Sequence, residues 1–276
     1  MIEKYLFLAY DKPLRYLTNE NFGKPKLLLL HGVNLNADFF ETIFPYLDKE
    51  FQLFAPDLRG HGKSFRYPGH YNLNDYVGDL KFFYHHVIKE PCFFLGMSLG
   101  GRIGLSLAIE YPLLIQKLVM VDVSPKINPE GIARLQNIQK ILPESFSSRK
   151  ELTAYYDTYY ATVSPKYRET VLKYAWTVSE KEKWEISYDR NIWDINEQTA
   201  FQEQEYLYLG APSVNLPVLV LRGENSDILS KEDALDFTSK LPNGTLIEIP
   251  ESGHLLLVEK TELCVNSIKK FICSVE

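Results

Sequence analysis

Cysteine is scarce in this chain. Cys92, Cys264 and Cys273 are the only three in 276 residues. An odd, widely spaced set builds no disulfide framework and lacks the spacing of a zinc site. Long apolar runs are missing too, and none approaches the roughly 18 residues needed to span a bilayer. The first eleven residues, Met1 to Asp11, carry too short an apolar run for a secretory signal and no small-residue cleavage site. We therefore expect a cytoplasmic protein with no membrane partner. Basic clusters are absent and the formal net charge is −6, which argues against nucleic acid as a partner. Repeats and low-complexity segments are lacking. What remains, 45% hydrophobic and 24% charged residues, suits a globular chain with a substantial core.

Gly96-Met97-Ser98-Leu99-Gly100 is the most informative stretch. It follows an apolar run at 92–95 and precedes a helix-like run at 102–109. A G-x-S-x-G between strand and helix is a nucleophile elbow: the turn strains the Ser backbone and exposes its hydroxyl. A Cβ in place of either Gly would crowd the strand against the helix.

The chain around it alternates strand and helix. Residues 4–10 and 13–19 read as a hairpin with a tight Asp11-Lys12 turn. Lys26 to Gly32 is an unbroken apolar run, as in a strand covered on both faces. Residues 37–47 read as a helix, 51–57 as a strand, and 72–87 as a helix capped by Asn72 or Asn74. A strand at 117–121 ends in Asp122. From Ser124 to about Pro212 the alternation stops. That stretch reads as several helices rich in aromatics, among them Tyr155, Tyr156, Tyr160, Tyr167, Tyr188 and Trp193, mostly core of a small subdomain. Strand–helix units resume at 217–223, 231–240 and 245–250, with a closing helix at 255–273. Such units build a mostly parallel sheet, here of about eight strands, flanked by helices, with sites at the strands' carboxyl ends. The expected organisation is a core of 1–124 and 213–276 and a helical insertion of 125–212.

A Ser hydroxyl needs a base to take its proton, and the base needs an acid to orient it. Among six His, His254 stands in a short loop after the last strand, and the order Ser, acid, His fits. His31 and His61, each beside Gly, read as turn-holding residues that bond the backbone. His85 and His86 read as solvated, and His70 as part of a polar loop. Two acids fit the order, Asp122 and Asp227. Glu224 and Glu251 are weaker rivals. The oxyanion formed on attack needs fixed donors. Leu99 N–H at the helix start is one, and Val33 N–H in the loop after the third strand is the other.

These residues resemble the α/β-hydrolase superfamily. The matches are His31-Gly32, Asp57-Leu58-Arg59-Gly60-His61-Gly62-Lys63-Ser64, Gly96 to Gly101, and Ser252-Gly253-His254. The resemblance implies that the insertion after strand six is the family's variable cap. Members commonly carry the acid three residues after the Gly that ends the penultimate core strand, a place held here by Ser226. A subgroup of bacterial esterases looks similar in Asp122-Val123-Ser124-Pro125 and in Arg222-Gly223-Glu224-Asn225-Ser226. That likeness implies Asp122 as the acid, with Ser226 as a supporting donor and Asp227 as the alternative.

The expected activity is that of a serine hydrolase on a small or medium carboxylic ester, lactone or thioester, through an acyl-enzyme, with no metal or organic cofactor and a small-molecule partner. A carbon–carbon bond hydrolase or a cofactor-free perhydrolase would use the same triad. A ligand-binding receptor with little turnover would keep it as well.

Overall fold

The computed structural model describes residues 1–69, 71–126, 128–159, 164–194 and 196–274. His70 and Tyr160 lie outside them. Eleven strands are present among these residues: Ile2–Phe7 (β1), Pro13–Thr18 (β2), Lys26–Leu30 (β3), Gln52–Pro56 (β4), Cys92–Met97 (β5), Ile115–Val121 (β6), Ser145–Phe146 (β7), Trp176–Val178 (β8), Trp184–Ile186 (β9), Val218–Gly223 (β10) and Gly244–Ile249 (β11). Ten α-helices accompany them: Phe44–Leu47 (α1), Leu73–Phe83 (α2), Leu99–Glu110 (α3), Pro129–Ile141 (α4), Arg149–Tyr159 (α5), Pro165–Tyr174 (α6), Glu197–Gly210 (α7), Lys231–Lys240 (α8), Leu256–Glu259 (α9) and Thr261–Cys273 (α10).

Eight strands form one sheet in the order β1-β2-β4-β3-β5-β6-β10-β11. The β1–β2 and β2–β4 pairings are antiparallel and the others parallel. Side chains of a strand alternate between faces, and β3 uses both. Leu28 and Leu30 pack with Phe83 of α2 and Ile103 of α3. Leu27 and Leu29 pack with Phe39, Phe40 and, from α10, Ile268. All four leucines are fully buried, which is why that run carries no polar alternation.

Local signals account for the helix starts. Asn72 accepts from Asp75 N–H while Asp75 reaches back to the Asn72 N–H, a capping box at the head of α2. Ser230 caps α8 by accepting from Asp233 N–H. α10 buries Cys264, Val265, Ile268 and Ile272, the spacing of a one-sided helix.

The structure corrects several expectations. The first hairpin turns through Leu8–Lys12, with Leu8 N–H on Lys12 O and Lys12 N–H on Ala9 O, so β1 stops at Phe7 and the turn is wider than a two-residue one. Residues 37–47 split into a 3-10 turn, Ala37–Thr42, and the single turn α1; Pro45 cannot donate into a continuing helix. α2 passes into a π-helical turn, Tyr84–Ile88, that ends at left-handed Lys89. The closing helix breaks at Lys260 into α9 and α10. Between β6 and β10 the chain holds α4 to α7 and also a small antiparallel sheet, β7-β9-β8, which is absent from the expectation of helices alone. Two- and three-residue strands carry too little periodicity to be read from sequence. No helix of the described residues is long and apolar enough to cross a membrane.

Candidate active site

β5 delivers Ser98 at its carboxyl end, and α3 begins at the next residue. Ser98 has φ 49° and ψ −116°, a strained conformation for any residue with a side chain. The strain is held from both sides. Ser98 N–H donates to Val121 O at 3.0 Å, and Ser98 O accepts from Gly101 N–H at 2.9 Å. A Cβ on Gly96 would lie 2.3 Å from Gly100 O, and one on Gly100 would lie 2.2 Å from Leu30 O. Both glycines of the motif are thus compelled by close backbone approach. Among the described residues the Ser98 hydroxyl makes no hydrogen bond and remains able to rotate.

His254 stands in the loop between β11 and α9. Its Nδ1 lies 2.7 Å from Asp122 Oδ2. Asp122 is wholly buried just past β6, in the left-handed region at φ 50°. Its other oxygen accepts from Gly223 N–H at 2.9 Å. The Ser226 hydroxyl donates to Asp122 Oδ2 and accepts from the Ile228 and Leu229 N–H groups at 3.2 and 3.1 Å. Two donors besides the imidazole therefore aim at one buried carboxylate. They orient it toward the ring. Gly223 permits this packing, since a Cβ there would meet Gly253 O at 2.3 Å.

The rival acids lie elsewhere. Asp227 pairs with Arg134 of α4, and its side chain is 49% exposed. Glu224 accepts from Glu251 N–H at 2.7 Å, and Glu251 pairs with Lys260 at 2.7 Å. One carboxylate with no sequence signal does touch the histidine loop: Glu259. Its Oε2 accepts from Gly253 N–H at 2.6 Å and its Oε1 accepts from the Ser164 hydroxyl at 3.1 Å. Ser164 caps α6, so Glu259 ties the histidine loop to the insertion.

The loop after β3 lies against the elbow. A Cβ on Gly32 would come 3.2 Å from Ser98 Cβ. His31 fixes this loop. It accepts from Leu58 N–H on Nε2 at 3.0 Å, which leaves Nδ1–H to donate to Gly32 O at 2.8 Å. Burial, then neighbouring His61, hold the His31 pKa well below its ordinary value. Burial also brings His61 down to about 4, with Nδ1 on Arg59 O at 3.0 Å. Both rings are neutral at pH 7, as turn-holding residues should be. Asp57 serves the same scaffold: it accepts from Ala37 N–H at 2.7 Å and Lys63 N–H at 2.9 Å and faces Arg15 at 3.2 Å. His85 and His86 are exposed. Among the described residues neither the Val33 nor the Leu99 amide donates to a protein acceptor.

Ser98, His254 and Val33 line one cavity of about 50 Å³. Its far wall comes from the segment between β6 and β10, through Leu135, Ile138 and Gln139 of α4, Tyr156 of α5, Val171 of α6 and Tyr188. Among the described residues no group of three or more His, Cys, Asp or Glu could hold a metal ion.

Comparison with known proteins agrees with this architecture. The family model for the alpha/beta hydrolase fold matches residues 25–261. The chain is 26% identical over 254 residues, 92% of its length and 90% of the relative's, to the 2-(acetamidomethylene)succinate hydrolase of Mesorhizobium japonicum. It is 25% identical over 262 residues, 93% of its length and 97% of the relative's, to the pimeloyl-[acyl-carrier protein] methyl ester esterase of Pectobacterium atrosepticum. A crystal structure of E-2-(acetamidomethylene)succinate hydrolase superposes with a TM-score of 0.86 at 23% identity, covering 99% of both chains. A mostly parallel sheet with a strained serine at the end of an inner strand, a histidine on a buried carboxylate, and a match over most of the length leave one conclusion: this chain belongs to the alpha/beta hydrolase family.

Proposed function

We propose that this hydrolase cleaves a small or medium carboxylic ester, or a lactone or thioester, by way of an acyl-enzyme on Ser98. The observation that carries the reading is the Nδ1 contact from His254 to buried Asp122 at 2.7 Å, with His254 Nε2 left to serve a hydroxyl in the same cavity. Nδ1–H donating to the carboxylate makes Nε2 the basic nitrogen. As Ser98 Oγ attacks the carbonyl carbon, His254 accepts its proton. The imidazolium that forms is stabilised by Asp122, which Ser226 and Gly223 N–H hold in place. The carbonyl electron pair moves onto oxygen between the Val33 and Leu99 amides, aided by the positive end of α3. Collapse expels the alcohol, protonated by His254. Water then repeats the sequence and frees the acid. Residues 125–212 act as the cap that closes over this chemistry.

The methyl ester esterase among the relatives supports ester cleavage as the reaction class. Labelling with a fluorophosphonate, followed by peptide mapping and turnover of short p-nitrophenyl esters, tests the reading. Modification is expected on Ser98, with loss of labelling and turnover in Ser98→Ala. A folded protein that neither labels nor turns over any ester removes the catalytic assignment and favours a binding role.

A further inference from the structure

Two neutral amides line the cavity beside Ser98, and each has its carbonyl oxygen already engaged. Asn34 Oδ1 accepts from Trp193 Nε1–H at 2.9 Å. Gln139 Oε1 accepts from the Tyr188 hydroxyl at 2.8 Å. Both amides belong to the cavity lining. They come from different elements: Asn34 follows Val33 in the loop after β3, and Gln139 lies on α4. Among the described residues neither amide N–H2 donates to the protein. An aromatic donor on each carbonyl leaves the N–H2 as the group offered to a ligand. The locks are themselves restrained. Tyr188 is buried, and its strand-like neighbourhood pairs with His61 of the core. Asn34 holds a left-handed backbone at φ 66°, a conformation that Asn tolerates.

Charge in the lining points the same way. The described lining carries no Lys, Arg, Asp or Glu, so a carboxylate or phosphate on the substrate would enter without a counter-charge. The cavity is small, about 50 Å³, which favours a short substrate. Asn34 follows a proposed oxyanion donor in the chain and lines the same cavity as Ser98.

Building on the ester-hydrolase reading, we propose that the substrate is a short, uncharged acyl ester bearing a second oxygen near the carbonyl, a hydroxy- or oxo-acyl ester, and that Asn34 and Gln139 donate to that oxygen. A plain acyl chain would cover these two half-buried amides without meeting their donors, whereas an oxygenated chain meets them. Asn34 and Gln139 are thus specificity residues, and Trp193 and Tyr188 position them.

The test compares kcat/KM of the full chain, by proton release, for ethyl butyrate, ethyl 3-hydroxybutyrate, ethyl 3-oxobutyrate and monoethyl succinate. The oxygenated neutral esters are expected to exceed ethyl butyrate about tenfold, the worth of one good neutral hydrogen bond in a dry site. Monoethyl succinate is expected to be the slowest. Gln139→Leu and Asn34→Gly should each bring the hydroxybutyrate-to-butyrate ratio toward one. The wild-type ratios decide the matter even where a variant fails to fold. A ratio of one or less, or fastest turnover of monoethyl succinate, overturns the inference while Ser98 labelling keeps the ester-hydrolase reading intact. Absence of both labelling and turnover overturns the two together.

Discussion

Two helices show how differently the sheet and the insertion are built. α3, behind the elbow, is buried without interruption from Gly100 through Ala108. α7, in the insertion, runs fourteen residues and buries only Leu207, while Phe201 and Leu209 are 63% and 69% exposed. The helix that aims the serine is clamped by packing on nearly every side, and the helix that closes the insertion is held along one edge. Close packing leaves little freedom for rearrangement, so a strained serine and a buried carboxylate persist where α3 and β6 stand. Loosely held surfaces tolerate substitution, so changes along α7 should leave Ser98, His254 and Asp122 in place.

The sharpest way to break this contrast is to change one carboxylate on each side of it. Asp122→Asn should cut kcat about 10⁴-fold, because an amide cannot hold His254 in the productive tautomer. Asp227→Asn, at the exposed pair with Arg134, should stay within a few-fold of wild type. Steady-state kinetics on a p-nitrophenyl ester reads both, and the reverse ranking would move the acid to Asp227. A second comparison concerns stability. Leu29→Ala, in the fully buried β3, should cost about 2–5 kcal/mol in urea unfolding. Phe201→Ala should fall within about 0.5 kcal/mol of wild type. Equal losses would mean that α7 is packed as tightly as the sheet.

Acid should act first on the core. The pKa values of His31 and His61 are depressed in the folded state below their ordinary 6.5, His61 to about 4. The unfolded chain therefore binds more protons than the native one below pH 6.5. Their contribution is complete above that pH and is lost as pH falls through the window toward 4, at no more than about 1.4 kcal/mol per pH unit for each group. Melting temperature should drop between pH 7 and pH 4.5, and His61→Asn should flatten that slope. A melting temperature that rises on acidification contradicts the assignment. A small effect is also expected for Arg134→Ala: its ion pair is more than a third exposed, so stability, read by urea unfolding, should change by less than about 0.5 kcal/mol.

Much of this was readable from residues alone where the physics is local. G-x-S-x-G marks a strained turn because only glycine survives the 2.2–2.3 Å approaches that Gly96 and Gly100 would otherwise make. The four leucines of β3 announced a doubly covered strand, and Asn72 its helix. The hairpin turn, the break at Lys260 and the two-residue β7 carried no such signal, since neighbours in space, not in sequence, decide where those elements end.

The amino-acid order was sufficient to single out Ser98, His254 and the sheet, because each depends on periodicity or on backbone crowding within a few residues. It left two acids in contention and was silent about Glu259, Asn34 and Gln139. Only folding could place Asp122 against His254, buried among donors from β10 and its loop, and leave Asp227 at the surface beside Arg134. Hydrogen bonds between groups a hundred residues apart have no sequence period, so they exist as information only once the chain has closed on itself.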